Sequence, residues 1–169
     1  MSDWYAAYTY PRHEKKVAQY LEQCGVESFL PLYKEMNKWK NGQRVLVEKP
    51  LFPSYVFVNV NPNERLRVLQ TPSVASLVER AGIPVPLAQS EIDSLRQGVS
   101  QLQMEPHPYL KKGDRVRVKS GPFADREGVL VFQKNSWRVV ICLDLLMQAV
   151  AVEIELNELE RLPAFRSIA

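Results

Sequence analysis

One face of a predicted helix near the start of the chain groups side chains that can bind a nucleic acid. Cations can contact phosphates, and amides and aromatic rings can contact bases. The opposite face is apolar at helical spacing, which predicts a helix from Arg12 to Gln23. A helix face that is merely solvated has the same composition, and that is the default interpretation of the pattern. The candidate DNA-binding residues are Arg12, His13, Lys15, Lys16, Gln19, Tyr20 and Gln23.

A second basic group surrounds Asn41-Gly42, the strongest short turn signal in the chain. The flanking residues predict a β-hairpin with Trp39 near its tip. Such a hairpin is either a soluble edge protected by its lysines or a finger that touches a nucleic acid or an acidic protein, and the residues favour neither. Its charged residues are Lys34, Lys38, Lys40, Arg44 and Lys49, with Glu35 and Glu48.

An aromatic-rich segment from Pro50 to Val60 predicts a strand with two apolar faces. Val56, Val58 and Val60 alternate with Tyr55 and Phe57. One face should meet the core, and the other should meet helices or a partner. Composition alone favours an interior strand that its own chain covers on both faces.

Residues that could catalyse a reaction are not grouped in this sequence. The two histidines, His13 and His107, fall in different predicted domains. No nucleophile, carboxylate pair, phosphate-binding loop or metal-ligand spacing accompanies either one. We therefore expect a protein that is not an enzyme and that has no cofactor and no metal site.

Composition sets the broad class. The 22 lysine and arginine residues exceed the 19 acidic residues by only three, a mild excess that suits polyanionic partners without demonstrating them. Cys24 and Cys142 are the two cysteines, far apart in sequence, which is typical of a reducing compartment. Neither a signal peptide nor a membrane span is predicted. We expect a cytoplasmic monomer.

The elements that must position these side chains predict two domains. In residues 1–103, two helices interleave with antiparallel strands, which is typical of a split βαβ, ferredoxin-like α/β sandwich. Pro106-His107-Pro108 interrupts the pattern and predicts a linker over residues 104–110. Residues 111–169 show about five short strands, which predicts a small all-β, SH3-like barrel. Propensity leaves open a helical alternative for Leu143 to Val150.

Two sequence motifs resemble those of a known family. Gly113-Asp114-Arg115-Val116-Arg117-Val118, Gly121-Pro122-Phe123 and Gly128-Val129 resemble a KOW motif. Trp4-Tyr5 and the run from Leu51 to Val58 resemble the NusG N-terminal (NGN) domain. Together they cover nearly the whole chain in the family's order. The chain is identified as resembling NusG-family transcription elongation factors. Three features look closer to the specialised antiterminators of the RfaH, UpxY and LoaP type: the segment from Leu51 to Tyr55, the short hairpin around Asn41-Gly42 and the compact size.

The resemblance implies binding without catalysis by the first domain. That domain would bind the clamp of bacterial RNA polymerase and suppress pausing, and the helix from Arg12 to Gln23 would touch the non-template DNA strand. RfaH-like members tend to have a basic residue at the position of Thr71-Pro72-Ser73. The DNA sequence preference of this chain should therefore differ from theirs or be weak. The residues that match the family's apolar polymerase-binding patch are Tyr8, Phe52, Tyr55 and Val74.

The resemblance implies that the KOW domain recruits Rho or a small-subunit ribosomal protein. Met147-Gln148 replaces the glycine and basic residue usual in the housekeeping protein, which argues against Rho. A KOW-containing ribosomal or RNA-binding protein is the main alternative, and a net charge of +3 is modest for one. A general adaptor without effect on elongation is a third. The partner-binding residues would be Phe123, Leu145, Leu146, Met147 and Gln148.

Overall fold

The computed structural model describes residues 1–109 and 113–163. The chain divides into two compact units, one ending at Asp93 and the other beginning at Ser94. The first unit contains β1 (Asp3–Thr9), α1 (Glu14–Gln23), β2 (Glu27–Phe29), β3 (Leu32–Lys38), β4 (Arg44–Pro50), β5 (Tyr55–Val60), α2 (Arg65–Leu69), β6 (Val74–Leu77), β7 (Glu79–Arg80) and β8 (Ile83–Pro84), and helix α3 (Gln89–Gln101) crosses the division.

The main sheet of the first unit has four strands in the order β2-β5-β1-β6. Neighbouring strands are antiparallel, and β1 lies between β5 and β6. Helix α1 connects β1 to β2, and α2 connects β5 to β6, so the chain follows a βαββαβ path. This order and connectivity confirm the predicted ferredoxin-like sandwich.

Both faces of the central strand β5 are covered by the chain. On one face, Val56 and Val58 join Val17 and Leu21 of α1 in a single core. On the other face, Phe57 is fully buried, and the indole N–H of Trp4 donates to the Gln89 side chain at 2.8 Å. β5 is therefore the interior strand that its composition favours.

Strands β3 and β4 form a two-stranded antiparallel ribbon of their own, hereafter the β3–β4 ribbon (Leu32–Pro50). The hairpin predicted around Asn41-Gly42 is present, with Leu32 paired to Pro50 and Lys38 paired to Arg44. Gly42 has φ +82°, a left-handed conformation that glycine adopts without steric cost.

The second unit is built on a six-stranded antiparallel sheet in the order β14-β10-β11-β12-β13-β9. Val129, Val140, Ala149 and Ala151 form part of its core, as expected for the small all-β fold. In place of the helical alternative, Leu143 to Val150 holds a single 3₁₀ turn and the start of a strand. The strands are β9 (Met104–His107), β10 (Asp114–Val118), β11 (Glu127–Gln133), β12 (Ser136–Leu143), β13 (Gln148–Glu153) and β14 (Leu159–Arg161).

The prediction of a linker over residues 104–110 is wrong for residues 104–107, which form a strand. Met104–His107 is β9, which pairs with β13 from Met104 opposite Val152 to His107 opposite Ala149. Pro106 misled the sequence interpretation because proline interrupts interior strands, whereas β9 lies at the edge of the sheet, where a missing N–H is tolerated. Leu110 lies outside the described residues.

Candidate functional site

Tyr8 and Tyr55 form a partly exposed aromatic pair on the main sheet. They lie opposite each other in the β1–β5 ladder, with ring centroids 5.5 Å apart in an edge-on arrangement. Tyr8 is 41% exposed, whereas Tyr55 is half-buried. Burial raises the pKa of the Tyr55 phenol, and neighbouring Tyr8 contributes to the same shift. Two adjacent aromatic rings, one exposed and one half-buried, suit a protein-binding surface.

The other two residues of the predicted polymerase-binding patch are buried, so the structure does not support them as contacts. Phe52 is 1% exposed, and its ring packs edge-on against Phe57 with centroids 5.8 Å apart. Val74 is 8% exposed and belongs to the core beneath α1 and α2. Both side chains fill the domain interior, and their role in the folded chain is packing.

Three turns converge beside the tyrosine pair, and each has a non-glycine residue in the left-handed region. Arg12, Ser54 and Ser73 have φ values of 67°, 69° and 71°. The N–H of Thr9 donates to the Ser54 carbonyl at 2.8 Å, and that of Tyr10 donates to the Ser73 carbonyl at 3.0 Å. A non-glycine residue with a left-handed backbone lowers the stability of the fold by about 1–3 kcal/mol, and such strain concentrates at functional sites.

Glu14 ties two of these turns together, and sequence reasoning missed it. Its carboxylate is buried, and Oε1 accepts the N–H of Ser54 at 2.9 Å and that of Arg12 at 3.3 Å. A carboxylate in the first turn of a helix also interacts favourably with the helix dipole. Its position directly after Pro11-Arg12-His13 was the available signal, although the Ser54 contact spans forty residues.

We expect Glu14→Ala to lower the free energy of unfolding by about 1–3 kcal/mol, because two N–H groups lose their acceptor. Glu14→Gln, which retains a carbonyl oxygen, should lose less. Urea denaturation followed by circular dichroism measures both, with exposed Glu22→Ala on the same helix as the matched control. Equal stability of Glu14→Ala and the control would contradict this role for Glu14.

The seven residues predicted to bind DNA do not share one free surface. Lys16, Gln19, Tyr20 and Gln23 are exposed along α1, as is Arg12 before it. The Lys15 ammonium donates to the Glu48 carbonyl of β4 at 2.6 Å.

His13 is the second exception, because it is partly buried at the start of α1. Its Nδ1 lies 2.7 Å from Ser73 Oγ, within hydrogen-bond distance. The ring also lies edge-on to Tyr10, with centroids 6.2 Å apart. His13 therefore connects two of the converging turns.

Only part of the predicted KOW partner-binding set is accessible. Phe123 is 2% exposed, and a Cβ at Gly98 would lie 2.6 Å from its ring, so a helix glycine makes room for this phenylalanine. Leu146 is 3% exposed, whereas Leu145 and Gln148 are partly buried. The prediction that Phe123 and Leu146 contact a partner is therefore corrected, because both side chains lie in the core of the second unit.

Met147 is the accessible member of that set. Its side chain is 59% exposed, and its backbone is left-handed at φ 51°. Asp144 lies three residues before Met147 and accepts a hydrogen bond from the Tyr109 hydroxyl at 2.5 Å. This hydrogen bond raises the pKa of Tyr109 to about 12. The contact connects the chain preceding β10 to the turn that presents Met147.

Neither a metal-binding cluster nor a membrane-spanning helix is present in the described parts of the chain. Across residues 1–109 and 113–163, no group of three or more histidine, cysteine, aspartate or glutamate side chains could hold a metal ion. No helix in these ranges is long and apolar enough to cross a membrane. Accessible features in these ranges include the Tyr8 ring, the cations along α1 and the side chain of Met147, which are suited to binding.

Known proteins that resemble this chain include NusG transcription termination/antitermination proteins. The family model described as "Transcription termination factor nusG" matches residues 2–96. The NusG termination/antitermination proteins of Staphylococcus carnosus and Staphylococcus aureus are each 30% identical to the chain, with 94% of the chain and 95% of the relative aligned. The structure "Domain interaction in Thermotoga maritima NusG" covers 96% of the chain and 98% of that protein, with a TM-score of 0.64 and 23% identity.

The fold and these matches define a two-domain transcription termination/antitermination factor. The chain belongs to the NusG family. Its members are transcription factors rather than enzymes. Because the resemblance extends over nearly the whole chain, this family accounts for it better than the ribosomal-protein alternative, which rested on the KOW motif alone.

Proposed function

We propose that this protein binds the clamp of bacterial RNA polymerase through its first domain and suppresses transcriptional pausing. The observation that carries the proposal is the Tyr8–Tyr55 pair, in which Tyr8 is exposed and Tyr55 is half-buried, beside three strained turns. Aromatic side chains dominate the energetics of many protein interfaces. The Glu14 hydrogen bonds hold two of the turns in place, so the surface is ordered before binding.

The mechanism requires no covalent chemistry. A factor that binds the active polymerase more tightly than the paused polymerase shifts the population toward the active state. A tenfold difference between the two affinities corresponds to about 1.4 kcal/mol. Action on transcribing bacterial polymerase places the protein in the cytoplasm.

The exposed side of α1 is the proposed contact with the non-template DNA strand. Lys16 can contact phosphates, and Tyr20, at 43% exposure, can stack on a base. Gln19 and Gln23 offer amide donors and acceptors to base edges. Pro72 lies at the departure from the RfaH-like pattern and has no cationic side chain, so the DNA sequence preference of this protein should be different or weak.

The second domain is the proposed recruitment module, and its partner should be a small-subunit ribosomal protein rather than Rho. Met147 supplies an exposed apolar side chain, which suits a protein contact. The glycine and basic residue usual in the housekeeping protein are replaced here by Met147 and Gln148. This departure supports a specialised antiterminator over a general factor.

We expect the wild type not to increase Rho-dependent termination in vitro. The double variant Met147→Gly/Gln148→Arg should gain some stimulation, because glycine suits the left-handed φ of 51° and arginine restores the missing cation. Termination efficiency at a Rho-dependent site is the readout, with Phe132→Ala as a surface control in the same unit. Clear stimulation by the wild type would contradict the proposal.

Direct binding to polymerase tests the central part of the proposal. Fluorescence anisotropy of the labelled wild type should show saturable binding to bacterial core RNA polymerase. The same protein should bind free ribosomal RNA much more weakly than it binds core polymerase. Absence of polymerase binding, together with tight binding to ribosomal RNA, would favour the RNA-binding alternative.

A further inference from the structure

The β3–β4 ribbon carries a charge excess that the proposed function does not use. Between Leu32 and Pro50 the sequence has five cations and two glutamates, a net charge of +3. The whole chain also has a formal net charge of +3, so the remainder is formally neutral. Concentration of the entire excess in one hairpin indicates a surface for a polyanion.

The distribution of these charges leaves the ribbon tip uncompensated. Near the base, Lys49 forms an ion pair with Glu35 at 2.7 Å. Among the residues that the structure describes, none forms an ion pair with Lys38, Lys40 or Arg44 at the tip. Every residue from Lys38 to Arg44 is exposed. Lys34 lies opposite Glu48 in the ladder, so the cations without a neighbouring carboxylate lie together at the end of the ribbon farthest from its base.

One face of the ribbon combines these cations with apolar side chains. Met36 lies opposite Leu46 in the ladder, and the two are 57% and 54% exposed. Lys38 and Arg44 form the next pair on the same face, towards the tip. This arrangement gives cations for phosphates beside two apolar groups that are available for base contacts.

The tip is held in a defined conformation. Backbone hydrogen bonds run from Gly42 to the Trp39 carbonyl at 2.9 Å and from Trp39 to the Gln43 carbonyl at 2.8 Å. The Asn41 side chain also accepts the N–H of Gln43 at 3.0 Å. Trp39, 55% exposed, is therefore presented by an ordered turn together with the neighbouring lysines.

We propose that the β3–β4 ribbon binds double-stranded DNA in the major groove. That groove admits a two-stranded β-ribbon, and strands of seven residues reach about 24 Å at roughly 3.4 Å per residue. The major groove of duplex RNA is too deep and narrow for the same fit. Single-stranded nucleic acid is bound through several stacked aromatic rings, whereas Trp39 is the single aromatic ring at this tip.

This site is separate from the proposed contact of α1 with the non-template strand and does not require polymerase. Anisotropy titrations of a labelled DNA duplex, over a range of salt concentrations, should compare the wild type with Lys38→Ala/Lys40→Ala/Arg44→Ala. Each lost phosphate contact lowers the slope of log affinity against log salt by about 0.9, so three should lower it by about 2.7. We expect affinity at low salt to fall tenfold or more.

The matched control is Arg80→Ala/Lys119→Ala/Arg161→Ala, which removes three exposed cations outside the ribbon. It should bind the duplex as the wild type does. Equal weakening by both triple variants would show general charge attraction and overturn the proposal, as would wild-type affinity of the ribbon variant. Circular dichroism should give unchanged melting for both, because the substituted side chains are exposed.

Trp39 supplies an independent readout. Duplex DNA should change the tryptophan fluorescence of the wild type, and this change should disappear in Trp39→Phe while the protein remains folded. Equal or tighter binding of single-stranded DNA or duplex RNA would overturn the assignment to duplex DNA. Binding of a labelled polyglutamate peptide, with no binding of the duplex, would assign the ribbon to an acidic protein instead.

Discussion

The Tyr8→Ala/Tyr55→Ala variant is expected to bind bacterial RNA polymerase about a hundredfold more weakly than the wild type. Aromatic anchors at interface centres cost about 2 kcal/mol or more when truncated, and adjacent anchors are not additive. A combined loss of about 3 kcal/mol corresponds to roughly a hundredfold. Equilibrium anisotropy with core polymerase measures this change.

The tyrosine variant needs a control that removes an exposed ring elsewhere. Phe132→Ala serves, because Phe132 is 57% exposed and lies in the second unit. It should bind polymerase as the wild type does. If Tyr8→Ala/Tyr55→Ala is folded and its affinity is unchanged, these rings are not the centre of the interface.

Phe52→Ala is expected to lower the free energy of unfolding of the first unit by about 3–5 kcal/mol, the range for large-to-small substitutions in a core. Phe52 is 1% exposed and packs against Phe57, so truncation leaves a cavity beside the central strand. A loss of this size is a large share of the 5–15 kcal/mol typical of a domain. Hydrogen exchange at the β5 amides reports on the first unit alone, which matters because two units need not unfold together.

The same variant separates packing from binding. Exposed Phe132→Ala should cost less, about 0.5–1.5 kcal/mol, because it loses chiefly the contact of its ring with Trp137. A Phe52→Ala protein that kept its stability but lost polymerase binding would restore Phe52 to the interface and contradict its assignment to the core. A protein that lost both through unfolding would agree with the structure.

Local sequence signals predicted the elements well. Alternation in Tyr55 to Val60 predicted β5, helical spacing from Arg12 predicted α1, and Asn41-Gly42 predicted the hairpin. Each of these signals depends on residues that are neighbours in sequence. The ferredoxin-like order followed from the succession of elements, because short connections leave few ways to arrange them.

The failures concern contacts between distant parts of the chain. Phe52 and Tyr55 are both aromatic and three residues apart, and only the tertiary packing decides that one is buried and the other accessible. Pro106 was interpreted as a break between domains. Its true place at a sheet edge depends on pairing with Val150, forty-four residues away, and local sequence does not show that pairing. Glu14 was missed for the same reason, since its acceptor role depends on the Ser54 backbone.

The most direct test of the central claim is a single-round transcription assay with bacterial RNA polymerase at defined pause sites. The lifetime of the paused complex should be shorter with the wild type than without it. Tyr8→Ala/Tyr55→Ala should leave the lifetime close to that of polymerase alone, while Phe132→Ala should act as the wild type does. If the wild type leaves pausing unchanged, or if the tyrosine variant shortens pauses equally well, the proposed polymerase contact is contradicted.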